Sequence, residues 1–215
     1  MAKLSNPEQF IVELKKAVII NTSPELGIFF TKAIRPTIKS LKSDLENIKY
    51  RYNNLIPQTS NLKASDDYFE DEGMELQCQI QYLQQTLASI AAMRIVNLYH
   101  DFEIKLKMIL TEHLNANPSD LKDSTSQNSL LKSHKIIVRK LVGQKDADDV
   151  RKISNNIKHN PVLKQKNKSI PEFRNAIEFT YQNCEQFFDR VEPGINNYLT
   201  AISEQVCNYV IQNKI

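Results

Sequence analysis

The chain is short of glycine. Only 4 of its 215 residues are Gly, and 8 are Pro. Four glycines are too few for the tight turns of an all-β protein, and too few for a glycine-rich phosphate cradle. Cysteine is scarce as well. Cys78, Cys184 and Cys207 are far apart and no CxxC occurs, so neither a disulfide framework nor a zinc site is indicated. Buried thiols in a reducing compartment are the expectation. The histidines, His100, His113, His134 and His159, fall into no metal-ligand spacing, and no metal or cofactor is expected. No stretch approaches the ~18 consecutive apolar residues of a membrane helix. Glu8, Glu13, Lys15 and Lys16 interrupt the N-terminal segment, which does not read as a signal peptide. A cytoplasmic protein without membrane contact is therefore expected. The formal net charge is only +3, which argues against a strongly basic coat but leaves local patches open.

What the chain does have is helical periodicity. Phe10, Leu14, Ala17 and Val18 predict a helix over 7–20, with Asn6 as cap and Pro7 in its first position. Ser23-Pro24 opens a second helix to about residue 55, striped by Ile34, Ile38, Leu41, Leu45 and Ile48, with a kink or break at Pro36. Residues 56–75 read as a loop that ends in six acids between Asp66 and Glu75. Those acids suit either the positive end of a helix dipole or a site for a basic partner. The strongest pattern runs over 75–114, from Leu76 through Ile95 and Phe102 to Ile109. Further helices are expected over 129–141, stopped by Gly143, over 147–158, closed by Asn160-Pro161, over 171–191, and over 193–212 after a break at Pro193-Gly194. The sum is an all-α helical bundle with long antiparallel helices, forming a single helical domain over 1–215.

One segment carries candidate chemistry. Between Asp146 and Pro161, Val150, Ile153 and Ile157 share an apolar face, while Asp148, Lys152, Asn155 and His159 share the opposite one. His159 falls at a helix C-terminus, where the dipole favours the imidazolium. It suits either a plain dipole partner on a solvated face or a phosphate contact and general acid–base group. From Lys132 to Lys168 there are eleven Lys and Arg, including Arg139, Lys140, Arg151, Lys152 and Lys158, against three Asp. That local excess of eight positive charges leaves the rest of the chain net acidic, and a basic surface of this kind attracts polyanions through counterion release.

Asn155-Asn156-Ile157-Lys158-His159-Asn160 resembles the signature region of the HEPN superfamily, in which an Arg precedes a His by four to six intervening positions near the end of an all-α bundle. Val96-Asn97-Leu98-Tyr99-His100-Asp101-Phe102-Glu103 looks like the aromatic and acidic helix that packs beside it. The resemblance spans roughly 85–190 and implies a HEPN-like core over about 75–191. It implies an RNA-binding protein or metal-independent endoribonuclease of a defence or toxin–antitoxin type, working as a homodimer with a possible cognate antitoxin protein. His159, Asn155 and Arg151 are then the catalytic candidates, and Lys152, Lys158, Arg139 and Lys140 the RNA-binding ones. The spacing departs from the family pattern. Four intervening residues place the Arg position on Ser154, six place it on Lys152, and Arg151 precedes His159 by seven intervening residues. Arg174-Asn175 looks like half the motif, but no His follows it. The long helix and the acidic stretch fit a second class, a non-catalytic helical protein-interaction module.

Overall fold

A computed structural model describes residues 25–59, 67–160 and 162–213. The helix expected over 7–20 lies outside them. The described residues form five α-helices: α1 (Glu25–Thr59), α2 (Asp67–Leu114), α3 (Ser124–Ser133), α4 (Gln144–His159) and α5 (Tyr181–Asn213). Single 3-10 turns occupy Pro118–Asp120, Val138–Lys140, Gln165–Ser169 and Pro171–Phe173. The described residues contain no strand, and the fold is an all-α bundle as expected. No helix among them is long and apolar enough to cross a membrane.

The 48 residues of α2 make it the spine; at 1.5 Å per residue it is about 72 Å long. It touches α1, α4 and α5. Two apolar clusters sit along it. Near its start, Leu83 and Leu87 bury against Ile38 and Leu45 of α1, with Ile34, Leu41 and Ile48 packed around them. Tyr52 pairs with Gln77 near this end, so the two helices run antiparallel. Farther along, Ile95, Phe102, Leu106 and Leu110 meet Val150 and Ile153 of α4 and Phe187, Val191, Ile202 and Val206 of α5. This main cluster reaches Val210, beyond the limit of 191 set by the resemblance. Arg94 reaches Glu185, and Phe102 stacks on Tyr198, so α2 and α5 run in the same direction. α4 runs against α5, with Gly143 beside Tyr198 and Asp149 reaching back to Arg190.

Several boundaries differ from expectation. α1 continues through Pro36. α2 begins at Asp67, so most of the acidic stretch forms its first turns, where a positive dipole end favours acids. The helix expected over 129–141 is shorter and earlier. A capping box between Asp123 and Ser126 starts it, and Lys135, at φ 62°, ends it. Gly143 does not stop that helix. It is the N-cap of α4, at φ 81°. The helix expected over 171–191 starts only at Tyr181, and α5 then passes through Pro193-Gly194 without a break. Val191 and Ile195 are both buried there, and the packing of that face overrides the missing proline N–H. Cys184 and Cys207 are buried, but Cys78 is exposed, contrary to the expectation for all three.

Candidate functional site on the outward face of α4

The apolar face of α4 fixes what its other face presents. Val150, Ile153 and Ser154 are fully buried, while Asn155 and His159 are exposed and Asp148 and Lys152 half-buried. Positions 144, 148, 152, 155 and 159 recur every three or four residues and form one row along the helix. Arg151 and Lys158 form the adjoining row, beside α2. Lys158 Nζ lies 5.8 Å from the ring centre of buried Tyr99. The two segments that carry the resemblance therefore lie side by side. Burial pushes the Tyr99 phenol up, and the neighbouring Glu103 carboxylate adds to the shift.

The C-terminus of α4 is held by a residue that the reading of the sequence passed over. Asn156 is 2% exposed. Its Nδ2 donates to the carbonyls of Asn160 and Val162, both at 2.9 Å. Its Oδ1 accepts from the Lys164 backbone N–H at 2.8 Å and from Asn167 Nδ2 at 2.7 Å. Two donors and two acceptor sites are all used, which is the full capacity of the amide. The chain after the helix is thereby tied back, and His159 stands at a fixed, solvent-facing end. A hint lay in the sequence, where an Asn precedes Asn160-Pro161 by one helical turn. The downstream partners, Lys164 and Asn167, follow no such spacing.

Charges around α4 sort into two groups. Asp148 takes both Arg151, at 2.6 Å, and Lys152, at 2.7 Å. Burial pushes its carboxyl up, but the hydrogen bonds and charges of Lys152 and Arg151 outweigh this and hold it below the usual range. Asp146 and Asp149 turn to Arg190 of α5, at 2.7 and 3.4 Å, and Lys152 joins the two groups, its Nζ 3.9 Å from Asp149 Oδ1. Glu172 completes that cluster as a fork, with Arg190 Nε at 2.6 Å and Nη2 at 3.1 Å. All three acids of the basic segment are thus engaged by cations. Lys158, Arg139 and Lys140 are exposed and make no ion pair among the described residues.

The Arg190 cluster yields a pair of predictions of opposite sign. Burial pushes Glu172 up, but Arg190 more than offsets it and holds its carboxyl below the usual range for a glutamate. A depressed carboxyl contributes stability that is present above its unfolded pKa and lost as pH falls through the folded one. Burial dominates at Asp149 instead and raises its pKa above 3.8, against Arg190, Lys152 and Lys145. Its stability contribution therefore falls as pH rises through that range. At pH 7, Glu172→Gln is expected to cost on the order of 1.5 kcal/mol, as for a lost charged hydrogen bond. Asp149→Asn is expected to leave the thermal midpoint unchanged or to raise it. Thermal unfolding of both variants from pH 3 to 8 checks this, and a lower midpoint for Asp149→Asn at pH 7 contradicts it.

The structure brings some of the sequence candidates together and separates others. Lys152, Asn155 and His159 share a row, whereas Arg151 is rotated off it and faces Asp148. Lys152 and His159 are seven residues apart, about 10 Å along the axis, so one phosphate does not touch both. Ser154, which takes the Arg position at the shorter family spacing, is completely buried, and its Oγ has no hydrogen-bond partner. Arg139 and Lys140 lie outside the helix, in the 3-10 turn before it. Arg174 follows the 3-10 turn at Pro171–Phe173 and is exposed. Among the described residues, no group of three or more His, Cys, Asp or Glu is placed to hold a metal ion. Comparison with protein-family models, curated proteins and solved structures finds no match to this chain.

Proposed function

We propose that this protein binds RNA along the outward face of α4, in the manner of a HEPN-like protein. The observation that carries the reading is the row of Lys152, Asn155 and His159, flanked by Arg151 and Lys158 on a rigid helix whose apolar side is buried. Such a face supplies phosphate contacts from the cations and an imidazole at its end for acid–base work. In a cleavage step His159 takes the proton of a 2′-hydroxyl as that oxygen attacks phosphorus, and a second group protonates the departing 5′-oxygen. Along α4 the arginine before His159 is Arg151, eight residues and about 12 Å away on an adjoining row, too far to share its phosphate. Cleavage therefore calls for a second copy that brings its own α4 face into the same cleft. Binding does not.

The test is fluorescence anisotropy with labelled single-stranded RNA across a salt series, with RNA cleavage followed on gels. Wild-type binding is expected to weaken steeply with salt. His159→Ala is expected to abolish any cleavage while keeping most of the binding. Cleavage equal to wild type removes His159 from the mechanism, and absence of binding by the wild-type protein removes the reading. Asp148→Asn provides a sharper check. It releases Arg151 and leaves Lys152 with only Asp149 among the described residues, at 3.9 Å. RNA affinity at low salt should rise several-fold, and the salt slope should steepen by about one phosphate contact. Glu204→Gln, the same charge change at an exposed position on α5, should do neither.

A second reading has one observation in its favour. The α1–α2 hairpin leaves Tyr50, Met74 and Tyr82 exposed. Large apolar side chains on one hairpin suit a protein partner. Capture of a specific partner that Tyr50→Ser and Tyr82→Ser abolish, together with absence of RNA binding, would favour this non-catalytic role.

A further inference from the structure

A cleft with a cavity volume of about 610 Å³ opens where α3, the turn at Val138–Lys140 and the start of α4 meet. Asn128 and Lys132, one turn apart on α3, line one side. Ile137 and Arg139 line the other, and Gln144 of α4 and Tyr198 of α5 close the base. The chain reaches this arrangement by a sharp reversal. Lys135 adopts a left-handed conformation, and the Ile136 N–H donates back to the Leu131 carbonyl at 2.9 Å. Residues 136–139 then return alongside the helix they have just left. Ile137 is 59% exposed, an unusual position for a large aliphatic side chain unless something covers it.

The lining has three kinds of chemistry in one place. Exposed Ile137, with half-buried Val138 beside it, gives an apolar wall that suits a flat ring. The amides of Asn128 and Gln144 each offer a donor and an acceptor, the pattern that a base edge matches. Lys132 and Arg139 are exposed cations that make no ion pair among the described residues, and an arginine fork fits phosphate in a bidentate manner. The volume falls in the range of small-ligand sites, ~300–1,000 Å³. A cationic or wholly apolar ligand would leave part of this set unmatched. We infer that the cleft is a second binding site, taking one nucleotide unit with its ring against Ile137 and Val138 and its phosphate between Lys132 and Arg139.

Position links this cleft to the face already described. Gln144 is the first residue of the row that runs through Asp148 and Lys152 to His159. Fifteen residues of helix separate the two ends, about 22 Å. The nucleotide has two sources, a free mononucleotide or one unit of an RNA strand that continues along α4. The strand alternative rests on the RNA-binding reading, while the free nucleotide does not.

Calorimetry on the full chain with AMP, CMP, GMP and UMP, and with a short single-stranded RNA, separates them. Asn128→Leu keeps the charge, suits an exposed helix position and fills the cleft. It is expected to weaken whichever ligand binds by about tenfold, the equivalent of one lost hydrogen-bond pair, without altering the salt slope. Arg139→Ala is expected to weaken the same ligand and to flatten the slope by about one contact. Mononucleotide binding that Asn128→Leu weakens, without RNA binding, upholds the cleft and removes the RNA reading. RNA binding that Asn128→Leu weakens, without mononucleotide binding, assigns the cleft to the strand. RNA binding indifferent to Asn128→Leu, with no mononucleotide bound, overturns the cleft and leaves the α4 reading standing. Binding of neither ligand by the wild-type protein overturns both.

Discussion

Gly143→Ala is expected to lower the thermal midpoint by 10 °C or more, corresponding to roughly 4 kcal/mol or above in a chain of this size. Two costs add at this position. Gly143 sits at φ 81°, a conformation that L side chains resist. A Cβ there would also lie 1.9 Å from the Gly194 carbonyl oxygen and 3.0 Å from Tyr198 Cβ. The obstacle is backbone inside α5, flanked by buried Val191 and Ile195, so it cannot step aside. Gly194→Ala avoids the first cost but not the second. Its Cβ would meet Asp146 Oδ2 at 2.0 Å and Asp146 Cβ at 2.7 Å; the carboxylate can rotate away at the cost of its contact with Arg190, but the Asp146 Cβ moves only with the α4 backbone. Gly143→Asn separates the two costs. Asparagine tolerates the left-handed conformation, yet its Cβ meets the same carbonyl, so no rescue is expected. Differential scanning calorimetry of the three variants is the measurement. A Gly143→Asn midpoint near wild type would show that the close approach carries no weight. Because Gly143 starts α4, its loss should also disturb the row that ends at His159.

These two glycines show how much of the fold was legible beforehand. Both stand out in the sequence as punctuation, and local pattern gives both as breaks. Gly143 begins a helix instead of ending one, and Gly194 lets one helix cross another. That function is a matter of contact between residues 51 positions apart, and no local pattern encodes it. Where local chemistry decides, the signals were present. Thr180 and Asn183 form a reciprocal cap, each side chain accepting from the other's backbone N–H, at 2.9 and 3.3 Å. The spacing Thr-x-x-Asn announces the start of α5, but the apolar run from Phe173 onward obscures it. Phe173 is fully buried, against Phe179 and Phe187, without belonging to that helix. The run at Ile136–Val138 misleads in the same way, since Lys135 reverses the chain with no glycine to mark it.

The candidate site divides along the same line. The outward orientation of Asn155 and His159 followed from helical period alone, because Val150, Ile153 and Ile157 had to face the core. The burial of Ser154 followed from the same period, which places it between Val150 and Ile157. The pairing of Asp148 with Arg151 and Lys152 is local and was implicit in the spacing. The role of Asn156 and the three-acid clamp on Arg190 were not legible, since their partners come from separate segments.

Glu185→Ala is the second large effect, on the order of 3–5 kcal/mol for a broken buried ion pair. Arg94 is 6% exposed, and its guanidinium pairs with the Glu185 carboxylate and lies 4.0 Å over the Phe188 ring. Its Nε already has no hydrogen-bond partner. Removing the carboxylate leaves a buried cation with only an aromatic face for company. The loss spreads to Tyr181, whose hydroxyl donates to Glu185 at 3.1 Å and whose ring receives Lys42 of α1 at 4.4 Å. Tyr181 packs against both apolar clusters, so the α1–α2 hairpin should loosen as well. Replacing both charged partners, Arg94→Met with Glu185→Leu, should recover most of the stability, because it removes the desolvated charges together with their attraction. Urea unfolding of Arg94→Met, Glu185→Leu and the double variant gives the coupling directly. Thiol labelling reports the local opening. Burial pushes the Cys184 thiol up to about 12, with the Glu185 charge adding to it, so it reacts slowly at neutral pH while exposed Cys78 reacts at once. In Glu185→Ala, Cys184 should label well before global unfolding. Additive losses in the single and double variants, with Cys184 still protected, would mean that the pair contributes no coupling across this interface.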